Sequence, residues 1–335
     1  MKKTVLIDGN SIGYAAHYAT KLTVGDLQTQ AVFGFIKTLR DLKREYRGAE
    51  FTVLWDGKAQ WRFDLMPEYK SNRDNDPKKA AIKEAYVQQR PYIMRALKHL
   101  GVRQLTVTTH EADDMAGYLV EQLSIDPERE IVMISGDRDW IQLVRPRVIW
   151  RDLREENRIV TIDNLMDKTG FKTPFGFLEG KCLQGDSSDC ISGVGGIGEK
   201  GAPEFIAEFG SVRRFVDACE RGRFKPTKKA HKNLLGTSEF TREQWADKFE
   251  GDPKSDKQAF DEHMDKWEGN GRTIFRRNFK MMQLLKVAPP ESKDIQLDKG
   301  EFNKEKFSEV CAELSFVSIL RNIDEFCGIF ERKAA

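Results

Sequence analysis

The sequence is poor in cysteine, net charge and long apolar runs. Its 335 residues include five cysteines, an odd number without a C-x-x-C pair, which argues against a disulfide framework or a cysteine-based zinc site. The longest apolar runs, such as 131–135, are far shorter than the roughly 18 residues of a membrane-spanning helix. We therefore expect no membrane association and a location in the cytoplasm.

The charged residues nearly cancel overall but are segregated along the chain. Lysine and arginine number 55 and aspartate and glutamate 53, so the formal net charge is +2. Segment 58–103 has 11 basic and 5 acidic residues, 105–140 has 2 and 9, and 221–248 has 8 and 3. Basic segments on either side of an acidic one fit a polyanion held beside a metal-binding pocket, although solvated faces would give the same pattern.

Short apolar or β-branched runs alternate with helical patterns in the first half of the chain. The runs cover residues 4–7, 51–55, 104–107, 131–134 and 148–150. This alternation predicts an α/β fold with a parallel central sheet and flanking helices. Near residue 175 the pattern changes to helices and loops without a further strand. We therefore predict two domains, 1–174 and a helical domain 175–335, and 39% hydrophobic residues suffice for their cores.

Nearly fifty residues separate the second and third predicted strands, too many for an ordinary connection in a compact α/β unit. This segment, about 58–100, is basic and contains a predicted helix from Lys78 to about His99. We interpret it as an insertion into the first domain.

Acidic residues follow the predicted strands with unusual regularity. They are Asp8, Asp56, Glu111, Asp113, Asp114, Asp137 and Asp139. One such residue is usually a helix N-cap, but seven at one edge of a parallel sheet would repel each other unless divalent cations neutralise them. Oxygen ligands without histidine or cysteine favour Mg²⁺, with Mn²⁺ as a substitute, and two such ions suit phosphodiester hydrolysis.

Two further acids, Asp186 and Asp189, precede a glycine-rich segment at 193–200. A tight glycine turn that opens a helix exposes backbone N–H groups, which can bind phosphates without reading sequence. A plain interhelical turn would have the same composition, so this signal gains weight from the strand-end acids.

Five motifs resemble the flap endonuclease and 5′→3′ exonuclease family, especially the bacterial type attached to DNA polymerase I and its stand-alone phage relatives. They are IDGNS (7–11), PEYKSNRD (67–74), EADDMAGYL (111–119), SGDRDWIQLV (135–144) and GDSSDCISGVGGIGEKGA (185–202). The resemblance implies a PIN/FEN-like nuclease core, a helical arch formed by the insertion, and a DNA-binding helix-hairpin-helix at about 185–210.

The resemblance also implies roles for individual residues. One metal ion would be held by Asp8, Asp56, Glu111 and Asp113, with Asp114 adjacent, and a second by Asp137, Asp139, Asp186 and Asp189. Catalytic contacts would come from Lys70 and Arg73 on the scissile phosphate and from Tyr69, which would stack on a base. DNA contacts would come from Gly193, Gly195, Gly196, Gly198, Lys200, Lys58, Arg62, Lys78, Lys79 and Lys83, with K⁺ on the carbonyls of the glycine turn.

We therefore expect a divalent-metal-dependent 5′→3′ exonuclease and 5′-flap endonuclease, a phage or stand-alone bacterial enzyme that removes RNA primers or flaps in DNA replication. Expected partners are DNA with 5′ ends or flaps, RNA–DNA hybrids and replication proteins, and the chain is expected to be a monomer. A haloacid-dehalogenase-type phosphatase is disfavoured because position 10 is Asn and Asp56 is followed by Gly57-Lys58, so its aspartate pair is missing. A PIN-type ribonuclease would be shorter, and a non-catalytic DNA-binding protein would leave the carboxylates unexplained.

Overall fold

The computed structural model describes residues 2–19, 21–74, 76–155, 158–236, 245–265 and 271–331, apart from the side chains of Asp74, Lys79 and Asp265. The strands are β1 (Lys2–Asp8), β2 (Thr23–Val24), β3 (Leu27–Gln28), β4 (Glu50–Trp55), β5 (Arg103–Val107), β6 (Arg129–Ile134), β7 (Val148–Arg151), β8 (Ile159–Val160), β9 (Gly185–Asp186), β10 (Ile191–Ser192) and β11 (Ile295–Asp298). The helices are α1 (Gly9–Ala19), α2 (Gln30–Glu45), α3 (Gln60–Leu65), α4 (Pro77–His99), α5 (Ala112–Leu123), α6 (Leu165–Thr169), α7 (Pro174–Gln184), α8 (Gly201–Phe209), α9 (Val212–Glu220), α10 (Lys229–Leu235), α11 (Lys257–Asp265), α12 (Gly271–Met282), α13 (Lys304–Glu313), α14 (Val317–Leu320) and α15 (Ile323–Cys327).

The chain forms two compact units. Unit 1 comprises residues 1–64, 73–164 and 284–335, and unit 2 comprises 65–72 and 165–283. The larger segment of unit 2 thus starts at Leu165 rather than at 175, and the prediction that placed 284–335 in the second domain is wrong. Those residues supply β11, which pairs with β5, and α13, which packs on α4.

Unit 1 is built on a seven-stranded sheet with the order β11-β5-β4-β1-β6-β7-β8. Strands β5, β4, β1, β6 and β7 run parallel, as predicted, while β8 and β11 are antiparallel edge strands. Val5, Leu6 and Ile7 of the central strand β1 are fully buried, as expected of a parallel sheet with both faces covered. The prediction of no strand beyond residue 175 is wrong, because β9, β10 and β11 follow that point.

The helices of unit 1 bury the apolar faces that the sequence predicts. On α2, Val32, Phe35, Ile36, Leu39 and Leu42 all lie in the main hydrophobic cluster. On α4, Tyr86, Ile93, Ala96 and Leu97 are buried, so one face of this helix packs into the core from Tyr86 onward. The first two turns of α4, about 77–84, hold no buried side chain among those described and remain for the predicted arch.

Unit 2 is mostly helical. Helix α7 begins after the N-cap Thr173, with Pro174 in its first turn, as helix starts commonly do. Four phenylalanines, Phe205, Phe209, Phe215 and Phe224, pack edge-on or tilted around the His231 ring. The predicted helix-hairpin-helix differs from its expected range, because its first helix, α7, ends before residue 185 and only α8 lies within 185–210.

Among the described residues, no helix combines the length and the apolar character needed to cross a lipid bilayer.

Candidate active site

Three acidic residues of unit 1 lie at the carboxyl edge of three adjacent parallel strands. Asp8 is the last residue of β1, Asp56 follows β4, and Asp137 follows β6 after two further residues. Because β1 lies between β4 and β6 in parallel register, the strands bring these side chains to one edge. Glu111 and Asp113, at the start of α5, come from the loop after β5.

Asp8 is held in the strand edge by two donors. The backbone N–H of Ser11 donates to its Oδ1 at 2.9 Å, and the Ser135 hydroxyl donates to its Oδ2 at 2.7 Å. The Ser135 hydroxyl also accepts from the backbone N–H of Asp137 at 2.9 Å, which joins the ends of β1 and β6. Burial, together with the negative charge of Asp56, raises the pKa of Asp8 to about 6.

Asp113 is a strongly perturbed carboxyl group of this edge. Burial, and then the charges of Asp137, Asp8, Asp56 and Glu111, raise its pKa well above the ordinary value. The indole N–H of Trp140 donates to its Oδ1 at 2.6 Å. Four carboxylate charges thus act on Asp113, and this group of five acids would gain from a shared positive charge.

This donor set fits divalent metal ions in its chemistry. It consists of carboxylate oxygens, the ligands preferred by Mg²⁺, and the excess negative charge is what a cation would neutralise. Within the described part of the chain, no group of three or more Asp, Glu, His or Cys side chains is already placed so that it could hold a metal ion. The fit therefore rests on charge and ligand type at the strand edge.

Asp56 is positioned by a close approach of two loops. Gly57 N–H donates to the His110 carbonyl at 2.9 Å and Lys58 N–H to the Thr108 carbonyl at 2.8 Å. A Cβ atom at Gly57 would lie 2.0 Å from the Val107 carbonyl oxygen, so only glycine fits here. Asp56 Oδ1 in turn accepts from the backbone N–H of Ala112 at 2.8 Å, at the start of α5.

Arg62 is buried and paired with acids of the site, contrary to its predicted role in DNA binding. Its guanidinium makes two bonds of 2.7 Å to the two carboxylate oxygens of Asp114 and one of 3.4 Å to Glu111. The side chains of Arg62 and Asp114 are 3% and 4% exposed. The prediction of Arg62 as a DNA contact is therefore wrong, and Asp114, with both oxygens on Arg62, serves as its ion-pair partner. Sequence reasoning missed this pair because Arg62 lies in a basic segment.

Asp137 and Asp139 lie at the start of a 3₁₀ turn, Arg138–Leu143. The backbone N–H of Asp139 donates to Asp137 Oδ1 at 2.7 Å. Asp137 is exposed, and its charge acts on Asp113, which joins it to the carboxylate edge.

In unit 2, Asp186 and Asp189 flank a short turn that packs on the segment 65–72. Asp186 Oδ1 accepts from the backbone N–H of Ser188 at 2.9 Å and from its hydroxyl at 2.6 Å. Burial favours protonation of Asp186, but Lys181 and the Ser188 donors outweigh it and lower its pKa. The backbone N–H of Lys70 donates to the Asp189 carbonyl at 3.1 Å. The GDSSD motif therefore meets residues 67–72 of the PEYKSNRD motif within this unit.

Tyr69 and Lys70 are neighbours with different environments. Tyr69 is 4% exposed, so its ring is covered by protein and the predicted stacking on a base is wrong for this conformation. Lys70 has a left-handed backbone (φ 59°), and its Nζ lies 4.7 Å from the centre of the Tyr69 ring. Arg73, the other predicted phosphate contact, is exposed and belongs to unit 1.

The glycine segment of unit 2 is an exposed turn fixed by two apolar anchors. Val194 and Ile197 are buried, whereas the predicted DNA contacts Gly195, Gly196, Gly198 and Lys200 are exposed and Gly193 is half-buried. Gly196 has φ +86°, which favours glycine, and the Gly195 carbonyl accepts from the Asn233 amide at 3.1 Å.

The predicted basic contacts of unit 1 are exposed where they are described. Lys58, Lys78 and Lys83 lie at the surface, and the side chain of Lys79 lies outside the described residues.

Comparison with known proteins relates this arrangement to nucleases. Residues 3–170 match the family model of the 5′–3′ exonuclease N-terminal, resolvase-like domain. DNA polymerase I of Streptococcus pneumoniae is 31% identical over 248 residues, 71% of this chain and 27% of its own length. DNA polymerase I of Bacillus subtilis is 32% identical over 225 residues, 65% of this chain and 25% of its own length. The chain thus spans about a quarter of the length of these relatives.

Solved structures of a phage protein share the fold. The T5 D15 protein co-crystallised with metal ions has a TM-score of 0.59 at 20% identity, with 98% of both chains covered. The bacteriophage T5 D15 flap endonuclease, in a pseudo-enzyme–product complex with DNA and metal ions, has a TM-score of 0.62 at 20% identity, covering 99% of this chain and 100% of that one.

The mostly parallel sheet with carboxylates at its strand ends defines a mixed α/β fold that the T5 D15 structures share. The family match extends over half of the chain, and the chain belongs to the 5′→3′ exonuclease family of 5′ nucleases.

Proposed function

We propose that this chain is a divalent-metal-dependent 5′→3′ exonuclease and 5′-flap endonuclease that hydrolyses phosphodiester bonds near 5′ ends. The observation that carries the proposal is the group of mutually repelling carboxylates at one sheet edge, in a chain of the 5′→3′ exonuclease family. Its role would be the removal of RNA primers or flaps during DNA replication, in the cytoplasm of a bacterium or a phage-infected cell.

Asp8, Asp56, Glu111 and Asp113 would hold one Mg²⁺ ion. Asp137 and Asp139 would bind a second, and Asp186 and Asp189 are proposed as further metal ligands. When bound, the ions supply positive charge that offsets the carboxylates and favours attack of water on a phosphodiester near neutral pH. Mn²⁺ shares the preference for oxygen ligands and would substitute.

The protein's own groups would bind and orient the DNA. Lys70 and Arg73 would contact the scissile phosphate and offset the charge that develops there. The exposed turn 193–200 would bind the uncleaved strand through backbone N–H groups, with K⁺ on its carbonyls. Lys58, Lys78 and Lys83 are exposed cations that would attract the phosphates of a 5′ single strand beside the first turns of α4. We propose a monomer that acts on DNA and on RNA–DNA hybrids alongside replication proteins.

A cleavage panel tests this function. Labelled 5′-flap, nicked and linear duplex substrates are incubated with the protein and Mg²⁺, and with EDTA. We expect products released from the 5′ end only with the metal, and loss of cleavage in Asp113→Asn. Asp163→Asn, which removes the charge of an exposed acid elsewhere in unit 1, is the matched control. Wild-type protein that cleaves none of the substrates, or cleavage that persists in EDTA, would contradict the proposal.

A further inference from the structure

Asn10 connects the carboxylate edge to a buried tyrosine of α4. Its Nδ2 donates to Asp56 Oδ2 at 2.7 Å, and its Oδ1 lies 3.1 Å from the hydroxyl of Tyr86. The same hydroxyl lies 3.4 Å from the Gly9 carbonyl. A short chain of hydrogen bonds thus runs from Tyr86 through Asn10 to Asp56.

The chemistry of the groups fixes the direction of this chain. A carboxylate only accepts, so the Asn10 amide must turn its N–H₂ toward Asp56. Its carbonyl oxygen, which also only accepts, then faces Tyr86, and the phenol must donate. The Asn10 amide therefore has one orientation, and loss of the phenol hydrogen bond, the shorter of the two that Tyr86 can donate, would leave the amide free to rotate away from Asp56.

The packing around Tyr86 fixes the position of its hydroxyl. The Tyr86 side chain is 2% exposed, and its ring lies 4.1 Å from that of Tyr14. A Cβ atom at Gly13 would lie 2.4 Å from the Tyr86 hydroxyl oxygen, so glycine at this point of α1 makes room for it. Ile93, Ala96 and Leu97, on later turns of α4, lie in the same hydrophobic cluster as Tyr86 and anchor the helix that carries it.

Asp56 needs such support because its neighbours repel it. The charges of Asp56 and Asp8 act on each other, and both act on Asp113. Asp56 itself is exposed, and the two donors that hold its carboxylate are Asn10 Nδ2 on one oxygen and the Ala112 N–H on the other. Without the Asn10 bond, repulsion would favour rotation of the carboxylate toward solvent.

We propose that Asn10 and Tyr86 are positioning residues that hold Asp56 in its metal-binding orientation, with Tyr86 acting through Asn10. This inference rests on the proposed function, since Asp56 is taken there as a metal ligand. It adds that α4, whose first turns carry exposed lysines, is joined through Tyr86 to a carboxylate of the reaction centre.

The test combines single and double variants of the full chain: Tyr86→Phe, Asn10→Ala and both together. Tyr92→Phe is the matched control, because it removes a tyrosine hydroxyl from the same helix outside this chain of hydrogen bonds. The first readout is the affinity for Mn²⁺ without DNA, from the electron paramagnetic resonance signal of free Mn²⁺. The second is the pair kcat and KM on a 5′-flap substrate with Mg²⁺.

We expect Tyr86→Phe to weaken Mn²⁺ binding and to lower kcat by about tenfold each, with KM unchanged, as for other groups that orient a metal ligand. Asn10→Ala should cost at least as much, and adding Tyr86→Phe to it should cost nothing further, because the path is already cut. Tyr92→Phe should match the wild type.

Additive effects in the double variant, or unchanged Mn²⁺ affinity in Tyr86→Phe, would overturn the inference. If Asn10→Ala does not fold, the Mn²⁺ affinity of Tyr86→Phe decides the question alone, because that variant keeps the buried ring. A wild type that binds Mn²⁺ but cleaves no substrate would instead refute the proposed function and leave the positioning role to be decided by the Mn²⁺ affinities.

Discussion

The buried pair between Arg62 and Asp114 gives the sharpest stability prediction. Both side chains are almost fully buried, and two charge-assisted bonds of 2.7 Å join them. Removing one partner of such a pair leaves an uncompensated charge in the interior, which costs about 3–5 kcal/mol. We therefore expect Arg62→Met, which keeps an unbranched side chain of similar length, to lower the free energy of unfolding by about 3 kcal/mol or more.

Urea unfolding of the metal-free protein, followed by circular dichroism, measures this loss. Hydrogen exchange of the α5 amides should show the same opening locally, because Asp114 and Glu111 lie at the start of that helix. The control is Arg44→Met, the same substitution at a solvent-exposed pair with Glu325 in the same unit. An exposed pair contributes at most about 1 kcal/mol, so the control should change little.

A compensating variant separates charge from packing. Adding Asp114→Asn to Arg62→Met removes the stranded charge and keeps an oxygen that can accept from the Glu111 N–H. We expect this double variant to recover much of the lost stability. If Arg62→Met costs no more than Arg44→Met, or if the double variant is less stable than the single one, the reasoning fails.

Three further predictions concern charge and space. Burial and repulsion make the ionised form of Asp113 costly. In EDTA, Asp113→Asn should therefore raise the free energy of unfolding by about 1–2 kcal/mol at pH 8 and by less at pH 5. With Mg²⁺, the same variant should not cleave. Burial raises the pKa of Glu179 to about 7. The contribution of this carboxyl to the free energy of unfolding is therefore fully present below its ordinary pKa and is lost as the pH rises through 7. In thermal unfolding across pH, Glu179→Gln should raise the free energy of unfolding by about 2 kcal/mol at pH 8 and by almost nothing near pH 4.5. Gly57→Ala should destabilise by about 3 kcal/mol in urea unfolding, since its Cβ would meet the Val107 carbonyl; an unaffected midpoint would contradict that geometry.

Local pattern predicted most of the sheet in unit 1. The five runs of apolar residues correspond to β1, β4, β5, β6 and β7, because strands buried on both faces must be apolar throughout. The edge strand β11 was missed because three of its four residues are exposed, so its sequence lacks that signal. Its pairing with β5 joins residues far apart in the chain, and no local pattern can report such a pairing.

The acids of the site could be predicted because parallel strands carry their carboxyl ends to one edge. The roles of individual basic and aromatic residues could not. Arg62 and Lys58 belong to the same basic segment, yet one is buried on Asp114 and the other is exposed. Asn10 lies in the IDGNS motif, but the motif does not reveal its contact with Tyr86, because that contact spans 76 positions of sequence.

The return of the chain to unit 1 at residue 284 sets an order for folding during synthesis. Phe307, Val310 and Cys311 of α13 belong to the same buried cluster as Phe35 of α2 and Ile93 of α4. A ribosome adds about 5–20 residues per second, so these partners of the early helices emerge many seconds after them. The strand edge with its carboxylates therefore rests on a core that stays open until α13 has left the ribosome. We expect nascent chains that end before residue 300 to need protection of that apolar surface.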